Sequence, residues 1–557
     1  MFFTLAATSR SAQAAPPPAD LILRGGTVYT LDAPRSWAEA VAVTQGKLVY
    51  VGTNPGAEAF IGPRTKVVEL AGRMVLPSFR DSHVHPISSG VDLARCDLNA
   101  ATTKEQALAA IRRYAAAHPD AKWILGGGWQ LPLFPAANPN RADLDTAVPD
   151  RPAFLSAADG HSGWANSRAL KLAGVTRSTR DPEGGRIERD ASGEPSGTLR
   201  ESAQRLIDKH IPEATEGERR EGLRRALRMA AGFGITTLNE AAADESDLET
   251  YGGAEQAGEL TARIVVSLEL GIASDESEIG RLARLRERYK SARLSAPAIK
   301  MFADGVIESG TAALLEPYLN RPGDRGTLNF APARFAALAT AADKQGFQIH
   351  IHAIGDRAVR VALDALEVAQ KANGARDSRH HIAHLELIDP ADIPRFGQLG
   401  VIANFQALWA YADPYIVELT EPVLGPARSR WLYPLASVAR AGGMIVGGSD
   451  WSVSSLNPLD AIQVAVTRRD PDSPAGPAWI PEERMELADM LAAYTIRGAY
   501  LNFEEKTTGS LEVGKSADLI VLEKNLFRIP AEEIHSTKVL LTLLAGAEVF
   551  RDPAMPK

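Results

Sequence analysis

The chain has 557 residues, of which 45% are hydrophobic, and it carries a formal net charge of −8. That size is enough for a large core in two or three domains, or for one barrel with insertions. The acidic balance, without a basic stripe or an RNA-stacking motif, argues against nucleic acid as a partner. A single cysteine, Cys96, excludes an intrachain disulfide framework and a multi-cysteine zinc site.

Residues 1–19 are predicted to be a tail or a signal-like segment. A short apolar stretch precedes Ala12-Gln13-Ala14, small residues spaced as at a signal-peptidase site, and a proline-rich linker follows. Because a basic start is missing, a disordered tail is the alternative. The pattern slightly favours a bacterial-type soluble protein exported to the periplasm over a cytoplasmic one. No apolar run reaches the roughly 18 residues that predict a membrane span.

Short strands broken by glycine turns are predicted at both ends of the chain. Apolar and polar residues alternate in DLILRGGTVYTLD and AVAVTQGKLVYVG near the start, and in GSLEVGKSADLIVLEK near the end. Such alternation with regular turns is typical of a small antiparallel sheet. The sequence therefore predicts one small β-sandwich domain composed of residues 20–76 and 505–557.

Eight short apolar runs follow in the middle of the chain, most of them ending in polar residues. They cover residues 75–85, 234–240, 263–270, 298–305, 347–356, 380–388, 401–407 and 444–450. From the second onward, most are separated by helical patterns, which indicates a parallel sheet covered by helices. The leading prediction is an α/β fold, a (β/α)8 TIM-type barrel of residues 77–86 and 230–504. An open doubly wound sheet is the alternative.

The gap between the first and second runs is too long for one barrel helix. Residues 87–229 are rich in glycine, proline and tryptophan. Because long connections are usually functional or carry structure of their own, they predict an inserted subdomain over the barrel mouth.

Histidines gather at the ends of three of these runs. His83 and His85 end the first run, and alternate residues of a strand point to the same side, so both rings are expected to face the barrel mouth. An isolated histidine pair of this kind is weak support for a zinc-type site. Seven of the chain's 11 histidines, however, lie in three strand segments. The other five are His350, His352, His380, His381 and His384, and the eighth run ends in Asp450.

The motifs that contain these residues resemble the amidohydrolase superfamily. LPSFRDSHVHP, HAIGD, IAHLE, GGSDW and GSLEVGKSADLIVL carry the likeness, together with DGHSGWANSRAL, DPEGGRIERDASGEPSGTLRESA and KMFADG. More narrowly, the sequence is similar to the amidohydrolase family 3 branch, which includes N-substituted formamide deformylase-like enzymes. The resemblance covers nearly the whole chain and says little about the substrate.

The resemblance implies a binuclear metal centre, usually with two Zn²⁺ ions, although other divalent metals suit the same ligands. His83 and His85 would bind the more buried ion with Asp450 beside it, and His352 and His384 would bind the second. Lys300 would bridge both ions as a carboxylated lysine, since a buried lysine readily loses its proton. The alternatives are a salt bridge from Lys300 to Asp304 or to a substrate carboxylate, and a mononuclear site.

Other residues are predicted to support this centre. His350 is expected to assist without binding metal, His380 and His381 to be supporting or surface residues, and Asp81 to orient the first strand. His161 is expected to stabilise an oxyanion, although internal packing of the subdomain is an equal alternative. Residues predicted to line the substrate pocket are Trp164, Asn166, Gln406 and Trp409, for which packing is again the alternative.

Some positions depart from the family pattern. Ser78 replaces the usual glycine of its turn, Asn239-Glu240 stands where many relatives have histidine-aspartate, and Glu308-Ser309 replaces a glycine-serine-rich loop. The last two lie near the expected pocket and weaken any transfer of a relative's substrate preference.

The predicted function is hydrolysis of an amide-type C–N bond in a small molecule. Such a metal centre makes water nucleophilic near neutral pH, and Asp450 would take the proton and deliver it to the leaving nitrogen. A helix N-cap is the alternative for Asp450. The alternative functions are an ester or lactone hydrolase, a deaminase and, remotely, a non-catalytic regulatory or binding protein. The expected partner is a small-molecule substrate, and a homodimer is common for such barrels.

Overall fold

The structure, a computed structural model, describes residues 16–182 and 184–556. Most of the predicted signal-like segment lies outside these residues. Within them, no helix combines the length and apolar character that a bilayer crossing requires.

Eight parallel strands form the centre of the molecule and occur in the order of the eight predicted runs. They are β1 (Phe79–Val84), β2 (Ile235–Ala243), β3 (Arg263–Glu269), β4 (Leu294–Phe302), β5 (Gln348–Ala353), β6 (His381–His384), β7 (Ile402–Phe405) and β8 (Ile445–Gly447). Each strand pairs with its neighbour in the chain, which gives a parallel sheet from β1 to β8. The predicted TIM-type barrel is confirmed.

The two edges of this sheet meet where β8 returns beside β1. The backbone N–H of Asp450 donates to the carbonyl of His83 at 2.7 Å, and Asn404 donates to the carbonyl of Ser82 at 2.8 Å. Gly448 permits the approach, because a Cβ atom there would lie 2.6 Å from the Cβ of His83. The closure brings the first and eighth predicted motifs into contact.

Helices cover the outside of the barrel, with one before β2 and one after each of the strands β2 to β8. They are Glu216–Gly232, Glu245–Gln256, Glu276–Arg288, Pro332–Lys344, Asp356–Asn373, Ile393–Leu399, Leu435–Arg440 and Pro458–Thr467. Because both faces of the sheet are covered, a strand such as β5 is buried along its whole length. Leu487–Ala493 and Ile496–Leu501 follow as two short helices.

Both chain ends build two sheets beside the barrel. One contains Leu21–Arg24, Ala40–Thr44, Lys47–Gly52 and Lys66–Glu69, and the other contains Thr27–Tyr29, Trp37–Ala38, Met74–Pro77, Leu519–Leu522, Val539–Leu544 and Ala547–Arg551. Val41 and Leu48 from the first sheet share one core with Leu519 and Leu541 from the second. The predicted small domain composed of both chain ends is present. Its sheets are mixed, since Leu21–Arg24 pairs in parallel with Lys66–Glu69.

The segment between β1 and β2 forms a sheet of its own. Its strands are Cys96–Asp97, Ile124–Trp129, Ala153–Ala157, Ser162–Ala165, Gly185–Arg189 and Pro195–Glu201. Its helices are Pro86–Asp92, Lys104–Ala117, Arg141–Ala147, Ser167–Leu172 and Arg205–Asp208. Two apolar clusters, one around Trp129 and one around Phe154, fill this inserted subdomain.

Candidate metal centre

The C-terminal ends of β1, β6 and β8 bring three metal-binding side chains together. One ligand atom from each of His83, His384 and Asp450 lies within 4.8 Å of the others. His83 Nε2 is 3.4 Å from Asp450 Oδ1, and His384 Nδ1 is 3.9 Å from Asp450 Oδ2. These residues come from three separate motifs, so the barrel fold assembles the cluster.

His85 joins the cluster from the end of β1. Its Nε2 lies 3.2 Å from Asp450 Oδ1, and its Nδ1 lies 3.2 Å from Glu240 Oε1. Burial alone would lower the pKa of His85, but Asp450 and Glu240 raise it to about 10. Since histidine binds a metal ion as neutral imidazole, binding here would release a proton.

The cluster fits a divalent metal ion. His384 Nδ1 is buried without a hydrogen-bond partner. A ring nitrogen of this kind normally finds a partner, so its isolation indicates a missing ligand. Burial, reinforced by the charge of Lys300, lowers the pKa of His83 to about 3, which keeps its ring neutral. Two neutral nitrogens and a carboxylate oxygen are the donor types that zinc prefers.

The backbone is strained where two of these side chains are attached. His384 has φ of 76° and Asp450 has φ of 53°, in the left-handed region that non-glycine residues seldom adopt. Such conformations cost on the order of 1–3 kcal/mol each and occur preferentially at functional sites. The side chain of Asp450 faces the histidines, so the alternative reading of Asp450 as a helix N-cap finds no support.

His352 lies beside the cluster at the end of β5. Its ring centre is 4.5 Å from that of His384, and its Nε2 is 3.2 Å from the carbonyl of Gly305. Burial lowers the pKa of His352 well below the ordinary value, so its ring is neutral. The fold therefore places His352 next to the other predicted ligands.

Lys300 extends from β4 toward the same place and is only 1% exposed. Its Nζ lies 4.9 Å from the ring centre of Phe302, and no carboxylate in the described part of the chain lies within 4.0 Å of it. Asp304, the predicted alternative partner, accepts N–H groups from Ala313, Ile354 and Gly355 instead. Burial lowers the pKa of Lys300 to about 7, against the opposing effect of Asp450. A neutral amine is thus accessible near neutral pH.

His350 supports His83. His350 Nε2 lies 3.0 Å from His83 Nδ1, and its Nδ1 lies 2.9 Å from Ser267 Oγ. These two hydrogen bonds in series orient the ring of His83 so that its Nε2 faces Asp450. Hydrogen-bond partners of metal ligands normally act in this way. The ring of His381 packs 4.1 Å from that of His350.

Two further predicted residues have structural partners. His380 Nε2 lies 3.0 Å from Asp343 Oδ1, and His380 Nδ1 accepts the N–H of Ile349. Asp81 Oδ1 accepts the backbone N–H groups of His83 and Ser449, so it ties β1 to the segment after β8.

Sequence reasoning missed the two carboxylates that orient histidines at this site. Glu240 contacts His85 and accepts the hydroxyl of Tyr251 at 2.8 Å. Its position at the end of the second apolar run, residues 234–240, is a signal in the sequence for this role. Glu201 Oε2 lies 2.7 Å from His161 Nδ1. That pairing joins the residue before the strand Ser162–Ala165 to the end of the strand Pro195–Glu201, and it has no signal in local spacing.

His161 reaches from the inserted subdomain to the barrel mouth. Its ring centre is 5.2 Å from that of His352. Burial would lower the pKa of His161, but Glu201 and Asp159 raise it to about 9. A cationic imidazole beside the cluster is suited to stabilising a developing negative charge.

Trp164 and Asn166 lie inside the inserted subdomain and line neither of the cavities at the cluster. Trp164 is fully buried and donates from Nε1 to the carbonyl of Asn140. Asn166 caps the helix Ser167–Leu172 by accepting the N–H of Ala169. Both side chains therefore have the packing role that was the alternative to substrate binding.

Trp409 and Gln406 differ in their placement after β7. Trp409 lines a cavity at the cluster and stacks on His384, with ring centres 5.7 Å apart and planes 3° apart. Gln406 is fully buried and donates toward Asn404 at 3.4 Å, away from both cavities. Of the four predicted pocket residues, the structure places only Trp409 at a cavity wall.

Two cavities meet at the cluster. The histidine cavity, of about 470 Å³, is lined by His83, His85, Lys300 and Glu201. The side cavity, of about 380 Å³, is lined by Trp409, Glu308 and Glu386. Both are bounded by His161, His352, His384 and Asp450. Cavities of this size suit small molecules.

Known proteins resemble this chain along most of its length. The profile of a family described as the amidohydrolase family matches residues 66–550. Protein LONG AFTER FAR-RED 3 of Arabidopsis thaliana is 33% identical over 540 residues, which cover 96% of this chain and 92% of that protein. The N-substituted formamide deformylase of Arthrobacter pascens is 28% identical over 541 residues, covering 95% and 97% respectively.

The solved structures show the same fold. An uncharacterized metal-dependent hydrolase from Pyrococcus horikoshii superposes with a TM-score of 0.73 at 23% sequence identity. The superposition covers 92% of this chain and 99% of that one.

Proposed function

The chain belongs to the amidohydrolase family, a family of metal-dependent hydrolases, as its motifs predicted, and from that premise we propose that it hydrolyses an amide-type C–N bond in a small molecule. The observation that carries the proposal is the buried cluster of His83, His384 and Asp450, with His384 Nδ1 left unpartnered. The formamide deformylase relative supports the bond type, since its name specifies an amide.

We propose that the centre holds two zinc ions. His83, His85 and Asp450 would hold one ion, and His352 and His384 would hold the other. Lys300 would bridge them after its amine adds CO₂, because the resulting carbamate is an anionic oxygen ligand. A bound divalent ion supplies Lewis acidity, which makes water nucleophilic near pH 7 and polarises a carbonyl oxygen. A count of one ion per chain would contradict the bridging role of Lys300.

The chain's own residues then carry the protons. The Asp450 carboxylate accepts a proton as the water oxygen bonds to the substrate carbonyl carbon. The His161 imidazolium, held by Glu201 at 2.7 Å, donates a hydrogen bond to the carbonyl oxygen as it becomes negative. When the C–N bond breaks, Asp450 delivers its proton to the leaving nitrogen, which departs as a neutral amine.

Substitution of Asp450, the residue proposed to carry the proton, tests the proposed hydrolase activity. Asp450→Asn should lower kcat by about 10²–10⁴-fold, the usual range for a lost general base, while the chain stays folded and keeps metal. The assays are steady-state kinetics and elemental analysis on zinc-loaded protein, with N-formyl, N-acetyl, N-acyl-amino-acid, carbamate and lactone substrates. Glu249→Gln, on the exposed surface of the helix after β2, is the matched control.

Full activity of Asp450→Asn would contradict the proposed mechanism. Faster cleavage of lactones than of every amide would replace the amide proposal with an ester or lactone hydrolase.

A further inference from the structure

The side cavity has an acidic wall that the proposed chemistry does not use. Its described lining includes Asp159, Glu308, Glu386 and Asp413 but no lysine or arginine. It opens beside His384 and Asp450, so a substrate held at the cluster has room to extend into it.

Glu386 is the central group of this wall. It is only 2% exposed, yet its Oε1 is buried without a hydrogen-bond partner. Only Leu385 separates it from His384 in the sequence, so the Cα atoms of Glu386 and His384 are at most about 7 Å apart. A buried carboxylate oxygen without a donor is costly, and a ligand with N–H groups would remove that cost.

Glu308 stands next to Glu386. The two carboxyl groups lie side by side, and Glu308 Oε1 accepts the hydroxyl of Thr420 at 2.9 Å. Burial raises the pKa of both groups, and the charge of Glu308 raises the pKa of Glu386 further. A cation placed between them would relieve their mutual repulsion and favour the ionised form of both carboxyl groups. Glu308 is one of the positions where the sequence departs from its family.

Aromatic rings enclose the same space. Trp409, Tyr411, Tyr415 and Tyr433 line the side cavity together with the carboxyl groups. The faces of such rings attract ammonium and guanidinium groups. Aromatic walls around an acidic end favour an organic cation over a hydrated metal ion.

We infer that the substrate carries an ammonium-type cation that binds between Glu308 and Glu386 while its amide lies at the histidine cluster. The inference rests on the proposed function, and it assigns the substrate class as amides of small molecules with a cationic nitrogen at the far end. The unpartnered Oε1 of Glu386 would accept an N–H from that nitrogen.

Matched substrates test this assignment. One series is monoacetylated diamines with three to six methylenes, and the other is N-alkylacetamides of equal length in which a methyl group replaces the ammonium. For the best length, kcat/KM of the ammonium series should exceed that of the neutral series by about tenfold or more, as expected for a charged hydrogen bond. Equal or higher kcat/KM for the neutral series would overturn the inference.

Glutamine variants of the same shape test whether the preference for ammonium substrates depends on these two glutamates. Glu386→Gln and Glu308→Gln should each remove most of this preference, mainly by raising KM for the ammonium series. Glu418→Gln is the matched control, because Glu418 is exposed in the segment Tyr415–Thr420 and lies outside the cavity lining. Retention of the full preference in both folded variants would overturn the inference.

A binding measurement separates this inference from the proposed function. Calorimetric titration of zinc-loaded protein with the acetylated diamines should give a Kd that both glutamine variants weaken by about tenfold. If no amide is cleaved but this binding holds, the proposed function fails and the cation site stands. If magnesium or calcium binds there and the ammonium compounds do not, the cation site is wrong.

Discussion

The inserted subdomain and the mouth of the barrel each bury polar side chains, and Asn166 in the first and His384 in the second differ in their hydrogen bonds. In the subdomain, Asn166 accepts two backbone N–H groups and donates to two carbonyls, those of Val148 and Arg151. At the barrel mouth, His384 Nδ1 and Glu386 Oε1 have no partner.

This difference distinguishes the structural role of Asn166 from the ligand-binding role inferred for His384 and Glu386. A buried polar atom with a full set of partners stabilises one conformation, whereas one without a partner costs free energy and needs a ligand to recover it. Residue type alone does not distinguish the two, because His380 is fully partnered while His384, four residues along, is not.

The largest expected effect comes from removing the hydrogen bonds of a buried side chain in the inserted subdomain. Asn166→Ala should lower the free energy of unfolding of the subdomain by about 3 kcal/mol, because it leaves buried backbone groups unsatisfied. Urea denaturation can be followed by the summed fluorescence of the chain's eight tryptophans, which include Trp129 and Trp164 in the core of this subdomain. Asn99→Ala, exposed on the same subdomain, should change it by less than about 0.5 kcal/mol. Equal small losses in both variants would contradict a structural role for Asn166.

A smaller effect concerns the pair of His161 and Glu201, two residues of the inserted subdomain that line the cavity at the barrel mouth. The pKa of His161 is raised from 6.5 to about 9, mainly by Glu201 acting against burial. The folded chain therefore binds more protons than the unfolded chain between these values. The resulting stability is complete below pH 6.5 and is lost as the pH rises through about 9.

Metal-free protein should therefore lose about 2 kcal/mol of unfolding free energy between these pH values through this pair. Urea denaturation at both values should show that loss in the wild-type chain and little of it in Glu201→Gln. An equal pH dependence in the two proteins would show that Glu201 does not hold the proton on His161.

The barrel and most of the cluster could be predicted because their signals are local. Each strand ends in its own motif, and parallel strands place their C-terminal ends at one edge, so His83, His352, His384 and Asp450 were expected to meet. The carboxyl groups that contact the site residues are harder to predict from the sequence. Glu201 is 40 residues from His161 in the sequence, and nothing in the motif IAHLE indicates that its Glu386 lines a cavity. Whether a buried group such as Asn166 finds partners depends on tertiary contacts that sequence spacing does not encode.

The metal content of purified protein tests the central claim most directly, that the unpartnered histidine cluster is a metal centre. After loading with zinc and removal of free metal, elemental analysis should give about two ions per wild-type chain, as the ligand set implies. His384→Ala should lose at least one ion, whereas His380→Gln, at a fully partnered histidine, should keep the wild-type count. A folded wild-type chain without bound metal, or an unchanged count in His384→Ala, would contradict the account.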